Sequence, residues 1–197
     1  MKRRRVLLGI EGNTPPQELV PIHRFPLAYN GDLFDAVGGG VIVPNGNFAW
    51  DAIERKYKAT LQQSVVTAYI NNLSLGQVAG LRANNLTMSF NLQVIAFQPD
   101  WTSVIESQGN SISAAFNNAQ VQAGQVSTIV NTYDGANSKT YVDGVLSETV
   151  VKANTTFADN LQLIIGRSPY STGSGQFYIW NIRFFDKVLT QDEINNL

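Results

Sequence analysis

The stretch that decides the fold reads FYIWNIRFFDKVLT and occupies residues 177–190. It is rich in aromatic and β-branched residues, which favour strands, and it holds neither glycine nor proline. Because side chains alternate across a strand, we predict that its apolar residues fill the gap between two stacked sheets. Thr190 and Glu193 form a capping-box pattern, which predicts a short closing helical turn from Gln191.

Outward from this segment, short apolar runs alternate with Asn, Asp, Gly and Ser at intervals of about 8–12 residues, as in all-β sandwiches and barrels. Asp143-Gly144 joins two such runs and predicts a type I′ hairpin, because both central positions of that turn need positive φ. The candidate strands are residues 41–43, 64–70, 86–94, 103–107, 111–116, 126–133, 139–142, 161–165 and 177–185.

Composition restricts the function classes. Of 197 residues, 44% are hydrophobic and 15% are charged, which indicates a globular chain, most simply one domain. The formal net charge is -1, so no overall field attracts nucleic acid, and we expect no nucleic-acid partner. No apolar stretch is long enough to span a bilayer. The absence of cysteine removes disulfides and thiolate sites together.

The first 21 residues form a separate region in this interpretation. A basic run, KRRR at 2–5, precedes the apolar VLL at 6–8, and glycine and proline follow. Glycine interrupts the apolar run before it reaches the length of a signal peptide, so we expect no cleavage. We predict an N-terminal arm over 1–21 and one sandwich domain over 22–197. The expected docking residues of the arm are Arg3, Arg4, Arg5, Val6, Leu7 and Leu8.

The C-terminal half resembles a known family. YDG at 133–135, KTYVDGV at 139–145, LQLIIG at 161–166 and the closing segment 177–190 occur in the order found in laminin-G-like jelly-roll domains. These domains belong to the concanavalin A-like lectin/glucanase superfamily. Weaker matches to the N-terminal motifs extend the resemblance over residues 22–197.

The resemblance implies an all-β, two-sheet antiparallel jelly-roll β-sandwich with its last strand beside the first. The N-terminal arm and the short C-terminal helical turn, both predicted from the residues, complete the expected architecture. One departure from the family pattern is Trp180, which stands where a polar residue is usual. The side chains expected in the core are Val142, Leu163, Ile165, Ile179, Ile182 and Phe184.

Catalytic and metal sites have little support in the sequence. Glucanases of the superfamily use an E-x-D-x-x-E strand, which this chain lacks, so we predict no enzyme activity and no catalytic residue. His23 is the single histidine and fits a surface or packing role. We expect no cofactor. Asn30, Asp32 and Asp35 are weak calcium candidates, although turn formation explains such residues better.

Two binding functions remain. The first is a non-catalytic structural module of a larger assembly: a phage virion surface protein such as a capsid decoration protein, head fibre or tail protein. Its arm would dock on a protein partner, we expect a homo-oligomer, and the sandwich could adhere to host glycans. The alternative is a bacterial secreted or cell-surface carbohydrate-binding, lectin-like module. In both, the expected glycan contacts are Trp101, Tyr170 and Trp180, because exposed rings stack on sugars.

Overall fold

A computed structural model describes residues 18–61, 65–73, 85–96, 102–107, 113–116, 120–151, 161–167 and 175–197. Over these residues strands predominate and there is little helix, and no helix in them is long and apolar enough to cross a membrane. The strands are β1 His23–Phe25, β2 Val41–Pro44, β3 Phe48–Asp51, β4 Lys56–Thr60, β5 Ala68–Leu73, β6 Leu86–Ala96, β7 Thr102–Ser107, β8 Ser113–Phe116, β9 Val126–Tyr133, β10 Asn137–Val142, β11 Val145–Val151, β12 Leu161–Arg167 and β13 Gln176–Phe185, followed by helix α1 Gln191–Asn195.

The strands form two antiparallel sheets. The larger sheet has the order β11-β10-β9-β6-β13-β4-β3, and β1 also pairs with β13. The smaller sheet has the order β2-β5-β12-β7-β8. His23 lies opposite Phe184 and Phe25 lies opposite Ile182, so the first strand is tied to the last. The predicted all-β jelly-roll sandwich is confirmed.

Strand β13 keeps its apolar side chains in the core by means of a β-bulge. Ile179 and Ile182 are three residues apart, so in a regular strand they would face opposite sides of the sheet. The pairing with β6 shifts between Trp180 and Arg183, and Asn181 adopts a φ of 54°. This extra residue restores the inward direction, and both isoleucines are fully buried.

The core lies between the two sheets and contains every side chain predicted for it. Each of the six is buried, and Val142 is the most exposed of them at 8%. A second, smaller apolar cluster lies on the other face of the larger sheet beneath α1, and Leu19 and Leu197 pack against it. The buried members of this cluster are Val130, Phe185, Leu189 and Ile194.

The two local signals for a turn and a cap are also confirmed. Asp143 and Gly144 have φ values of 49° and 79°, as a type I′ turn requires. Thr190 caps α1, with its hydroxyl accepting from the Glu193 N–H and the Glu193 carboxylate accepting from the Thr190 N–H.

The candidate strands omitted four observed strands, and one was misplaced. β1, β3 and β4 were not predicted, because they are short and carry charged or small residues between the apolar ones. β11 was implied only as the second strand of the Asp143-Gly144 hairpin and was given no bounds. β5 begins at Ala68 and not at residue 64. The domain boundary after residue 21 stays a prediction.

Candidate functional site

The candidate site lies on the face of the larger sheet that points away from the core. Tyr178 and Trp180 project from β13 on this face, because Ile179 between them points inward. Tyr178 is 8% exposed and Trp180 is partly exposed. The two rings occupy neighbouring positions on the outward face, and Trp180 is the more accessible of them.

Lys56 of strand β4 lies over both rings. Its Nζ is 4.8 Å from the ring centroid of Trp180 and 5.6 Å from that of Tyr178. The same Nζ donates a hydrogen bond to Oε1 of Gln93 at 2.7 Å. Strand β13 pairs with β4 on one side and with β6 on the other, so these four side chains come from three neighbouring strands. Cation–π attraction and this hydrogen bond together hold the rings in place.

Asp51 fixes the hydroxyl end of Tyr178. The phenol donates to Oδ2 of Asp51 at 2.8 Å. Burial raises the pKa of Tyr178 to about 12, and the hydrogen bond to Asp51 adds to the effect. The main-chain N–H of Glu54 and then the Tyr178 hydroxyl lower the pKa of Asp51. Tyr178 therefore stays neutral and Asp51 stays ionised over the physiological range.

Side-chain amides continue the site beyond Trp180. Nδ2 of Asn181 donates to Oδ1 of Asn91 at 3.1 Å, and Nδ2 of Asn91 donates to the Thr128 hydroxyl at 3.1 Å. Asn91 lies directly opposite Trp180 in the pairing of β13 with β6. We call this surface the Trp180 face, and its members are Asp51, Lys56, Asn91, Gln93, Tyr178 and Trp180.

The chemistry of the Trp180 face suits a polyhydroxylated ligand. Sugar sites combine aromatic surface with a few fixed donors and acceptors, because sugar rings have apolar faces and hydroxyl edges. The face supplies both kinds of group. Sequence analysis singled out Trp180, but it missed Lys56, Gln93 and Asp51. The alternation of Lys56, Tyr57, Lys58 and Ala59 was the available signal for β4.

Asp35 and His23 form a buried pair elsewhere in the fold. His23 is 2% exposed, which agrees with the packing role, and its Nδ1 is hydrogen-bonded to Oδ2 of Asp35. Burial raises the pKa of the Asp35 carboxyl, but hydrogen bonds from the Arg24 N–H, from His23 and from the N–H groups of Val37 and Gly40 more than offset this, so the pKa lies below its ordinary value. The carboxylate thus organises the loop between β1 and β2.

The other calcium candidates also face their own backbone or solvent. Oδ2 of Asp32 accepts from the Ala28 N–H at 2.7 Å, and Asn30 is exposed. Within the described ranges, no three His, Cys, Asp or Glu side chains group as they would around a metal ion. Turn chemistry accounts for Asp32 and Asp35, and calcium binding there stays a prediction.

Two of the three predicted glycan contacts, Trp101 and Tyr170, lie outside the described residues. The predicted docking residues of the arm, residues 3–8, also lie outside them. Trp180 is therefore the one predicted glycan contact among the described residues, and it is partly exposed.

Comparisons with known proteins support the fold. No curated protein matches the chain. The receptor-binding domain of botulinum neurotoxin C/D mosaic serotype superposes with a TM-score of 0.65 at 14% identity, over 89% of this chain and 50% of that chain. The botulinum neurotoxin serotype G binding domain superposes with a TM-score of 0.62 at 13% identity, over 90% of this chain and 50% of that chain. The binding domain of botulinum neurotoxin DC in complex with SialylT superposes with a TM-score of 0.61 at 14% identity, over 88% of this chain and 50% of that chain.

The chain spans about half the length of these structures. At such low identity the likeness establishes the fold alone. A family model described as "Concanavalin A-like lectin/glucanases superfamily" matches residues 61–195, which is more than half of the sequence. On this match and on the jelly-roll topology, the chain belongs to the concanavalin A-like lectin/glucanases superfamily.

Proposed function

We propose that this chain is a non-catalytic binding module that holds glycans on the Trp180 face. The observation that carries the proposal is the outward-facing pair of Trp180 and Tyr178, fixed beneath Lys56 and bordered by side-chain amides. An aromatic surface gives binding area at low conformational cost, and the amides and ammonium supply directional hydrogen bonds.

Proteins of the same fold give further support. A botulinum neurotoxin DC binding domain has been solved in complex with SialylT. Cell entry of botulinum neurotoxin type C depends upon interaction with two ganglioside molecules. These are properties of the toxins, and they make glycan recognition a reasonable expectation for the sandwich described above.

The test is glycan binding by the full-length chain and by three tryptophan variants, Trp180→Ala, Trp101→Ala and Trp50→Phe. We expect the full chain to bind at least one glycan on an array, and Trp180→Ala to weaken that binding about tenfold or more in calorimetric titration. Trp50→Phe is the matched control, since Trp50 packs against the core and forms an edge-to-face contact with Tyr57. Unchanged affinity in Trp180→Ala, or loss confined to Trp101→Ala, would refute the site.

The absence of catalysis is part of the proposal. Retaining and inverting glycosidases both need two carboxyl groups across the scissile bond. The Trp180 face has one carboxylate, Asp51, and it is engaged by the Tyr178 hydroxyl. We expect no release of reducing ends when the chain is incubated with β-glucans and their oligosaccharides. Turnover that disappears in Asp51→Asn would contradict this.

A second proposal concerns the place of the module. We propose that it is displayed on a phage virion surface as a capsid decoration, head fibre or tail protein, with a secreted or cell-surface lectin-like module as the alternative. The basic and apolar composition of residues 2–8 supports a docking arm. Leu19 packs against the cluster beneath α1, so the arm joins the sandwich beside this helix.

Deletion of residues 1–12 tests the assembly proposal. Exposed ion pairs are worth only about 0–1 kcal/mol each, so the apolar residues 6–8 must supply most of the docking energy. We expect the deletion to abolish homo-oligomers and incorporation into particles, with a nearly unchanged Tm. Replacement of Val6, Leu7 and Leu8 by Ser should have the same effect as the deletion. Replacement of Arg3, Arg4 and Arg5 by Gln should have a smaller effect on oligomers and on incorporation. Oligomers that survive the deletion would exclude this role for the arm.

A further inference from the structure

Two arginines face each other across the junction of the first and last strands. Arg24 of β1 and Arg183 of β13 are direct partners in the antiparallel register. Like charges placed opposite each other on neighbouring strands destabilise a sheet. Burial lowers the pKa of Arg183, and the positive charge of Arg24 lowers it further. The fold therefore concentrates two positive charges at one place on the outer face of the larger sheet.

The two arginines have no acidic side-chain partner in the part of the chain that the structure describes. Among the described residues, neither guanidinium forms an ion pair with Asp or Glu. Nη2 of Arg183 donates to the main-chain oxygen of Leu197 at 3.3 Å, which uses one of its donors. Nε of Arg183 is buried and has no acceptor among the residues that the structure describes. A buried donor without an acceptor is unfavourable, so the arrangement fits an external anion better than an empty site.

A cavity opens beside the two arginines. It has a volume of about 410 Å³, and Arg24, Asn181 and Arg183 line it together with Val37 and residues 18–21. Glu18 also lines the cavity, but it is exposed and makes no ion pair with either arginine. The volume lies within the usual range for small-ligand sites, about 300–1,000 Å³.

The cavity adjoins the Trp180 face through the β-bulge. Asn181 follows Trp180 directly in the chain, lines the cavity and donates to Asn91 of the Trp180 face. Trp180 and Arg183 are three residues apart, a separation of at most about 10 Å along a strand. A short saccharide is long enough to contact both Trp180 and the arginines.

We propose that Arg24 and Arg183 bind the anionic group, carboxylate or sulfate, of an acidic glycan whose neighbouring sugar ring lies on the Trp180 face. The planar guanidinium fork matches both groups, because each presents paired oxygens that can accept two parallel hydrogen bonds. The inference rests on the proposed glycan binding and adds the ligand class. It also gives a reason for two cations to be placed side by side in this sheet.

The first test compares lactose with sialyllactose, which carries a carboxylate, and with sulfated lactose. The full-length chain should bind at least one of the anionic ligands about tenfold or more tightly than lactose. Arg24→Gln should remove that preference and leave the affinity for lactose unchanged. Arg24 is exposed, and its hydrogen bond to Asp35 comes from the main chain, so this variant keeps the loop contact.

Two further variants sharpen this comparison. Glu18→Gln should strengthen the preference for the anionic ligand, because it removes the negative charge that lines the cavity. Lys139→Gln is the charge-matched control on β10, outside the cavity, and should change nothing. Equal affinity for charged and neutral lactose, or a preference that survives in Arg24→Gln, would overturn the inference. Loss of lactose binding in Trp180→Ala tests the proposed function separately.

A second test needs no glycan. Sodium sulfate should raise the Tm of the full-length chain more than sodium chloride of equal ionic strength, by about 3–5 °C at about ten times the Kd. Sulfate also stabilises proteins in a general way, so the decisive value is the difference between wild type and Arg24→Gln. The same sulfate response in both proteins would show that the arginine pair holds no anion.

Discussion

The β-bulge at Asn181 offers a sharp test of how the sequence specifies the sandwich. We expect Asn181→Val to destabilise the fold, because a β-branched side chain is strongly disfavoured at the observed φ of 54°. The left-handed conformation costs a residue of this kind about 1–2 kcal/mol. The substitution also removes the hydrogen bond to Asn91, worth about 0.5–1.5 kcal/mol.

Together these effects should lower the free energy of unfolding by about 2–3 kcal/mol, or the Tm by about 4–12 °C for a chain of this size. Urea unfolding monitored by tryptophan fluorescence measures the change, with an unchanged m-value as the sign that two-state behaviour persists. Asn91→Ala removes the same hydrogen bond, and also the one from Asn91 to the Thr128 hydroxyl, but leaves the backbone at residue 181 alone. It should therefore lose about 1–3 kcal/mol without any change in backbone strain.

Asn181→Gly removes the hydrogen bond to Asn91 without straining the backbone at residue 181, so it isolates the contribution of the hydrogen bond. Glycine adopts positive φ without strain, so this variant should lose only the single hydrogen bond, about 0.5–1.5 kcal/mol, and be more stable than Asn181→Val. The reasoning fails if Asn181→Val unfolds at the same urea concentration as wild type, or if it loses no more stability than Asn181→Gly.

Three further predictions concern the core, acid stability and the Trp180 face. Ile179→Ala should lower the free energy of unfolding by about 2–5 kcal/mol, because Ile179 is fully buried. Val145→Ala should change the free energy of unfolding by less than about 0.5 kcal/mol, because the Val145 side chain is 70% exposed. Equal effects of the two substitutions in urea unfolding would contradict the packing. The pKa of Asp35 is lowered in the folded chain, so its stabilisation is present above about pH 4 and is lost as the pH falls through the folded pKa. Urea unfolding at several pH values should therefore show a weaker pH dependence for Asp35→Asn than for wild type below about pH 4, and equal slopes would count against this. Finally, ultraviolet titration should reveal one tyrosine with a pKa of about 12, and Asp51→Asn should lower it; a titration identical to wild type would mean that the Tyr178 hydrogen bond has no influence.

Much of the fold was predictable because its signals are local. The Asp143-Gly144 turn and the cap at Thr190 each depend on a few adjacent residues, and both were identified from the sequence. The strand at residues 126–133 was predicted with its observed bounds for the same reason, since its β-branched composition is continuous. The spacing of such signals indicated a sandwich or a barrel, and the resemblance to laminin-G-like domains implied the jelly roll.

The candidate site was less predictable because its members are distant in sequence. Trp180 was identified as an outward residue from its departure from the family pattern. Lys56 and Gln93 were not identified, because their place beside Trp180 depends on the pairing of β4 and β6 with β13. The arginine pair was missed for a similar reason: it requires β1, a strand of three residues that was not predicted.

The sequence by itself therefore determined that the chain is an all-β sandwich with a closing strand, a tight hairpin and a capped C-terminal turn. Only the tertiary structure decided that Lys56 lies over Trp180 and that Arg24 faces Arg183. The physical reason is the two-residue period of a strand: a slip of one residue turns every side chain to the opposite face, and the registers between distant strands result from packing of the whole core. The bulge at Asn181 belongs to the same level, because it sets the direction of every side chain after it on β13.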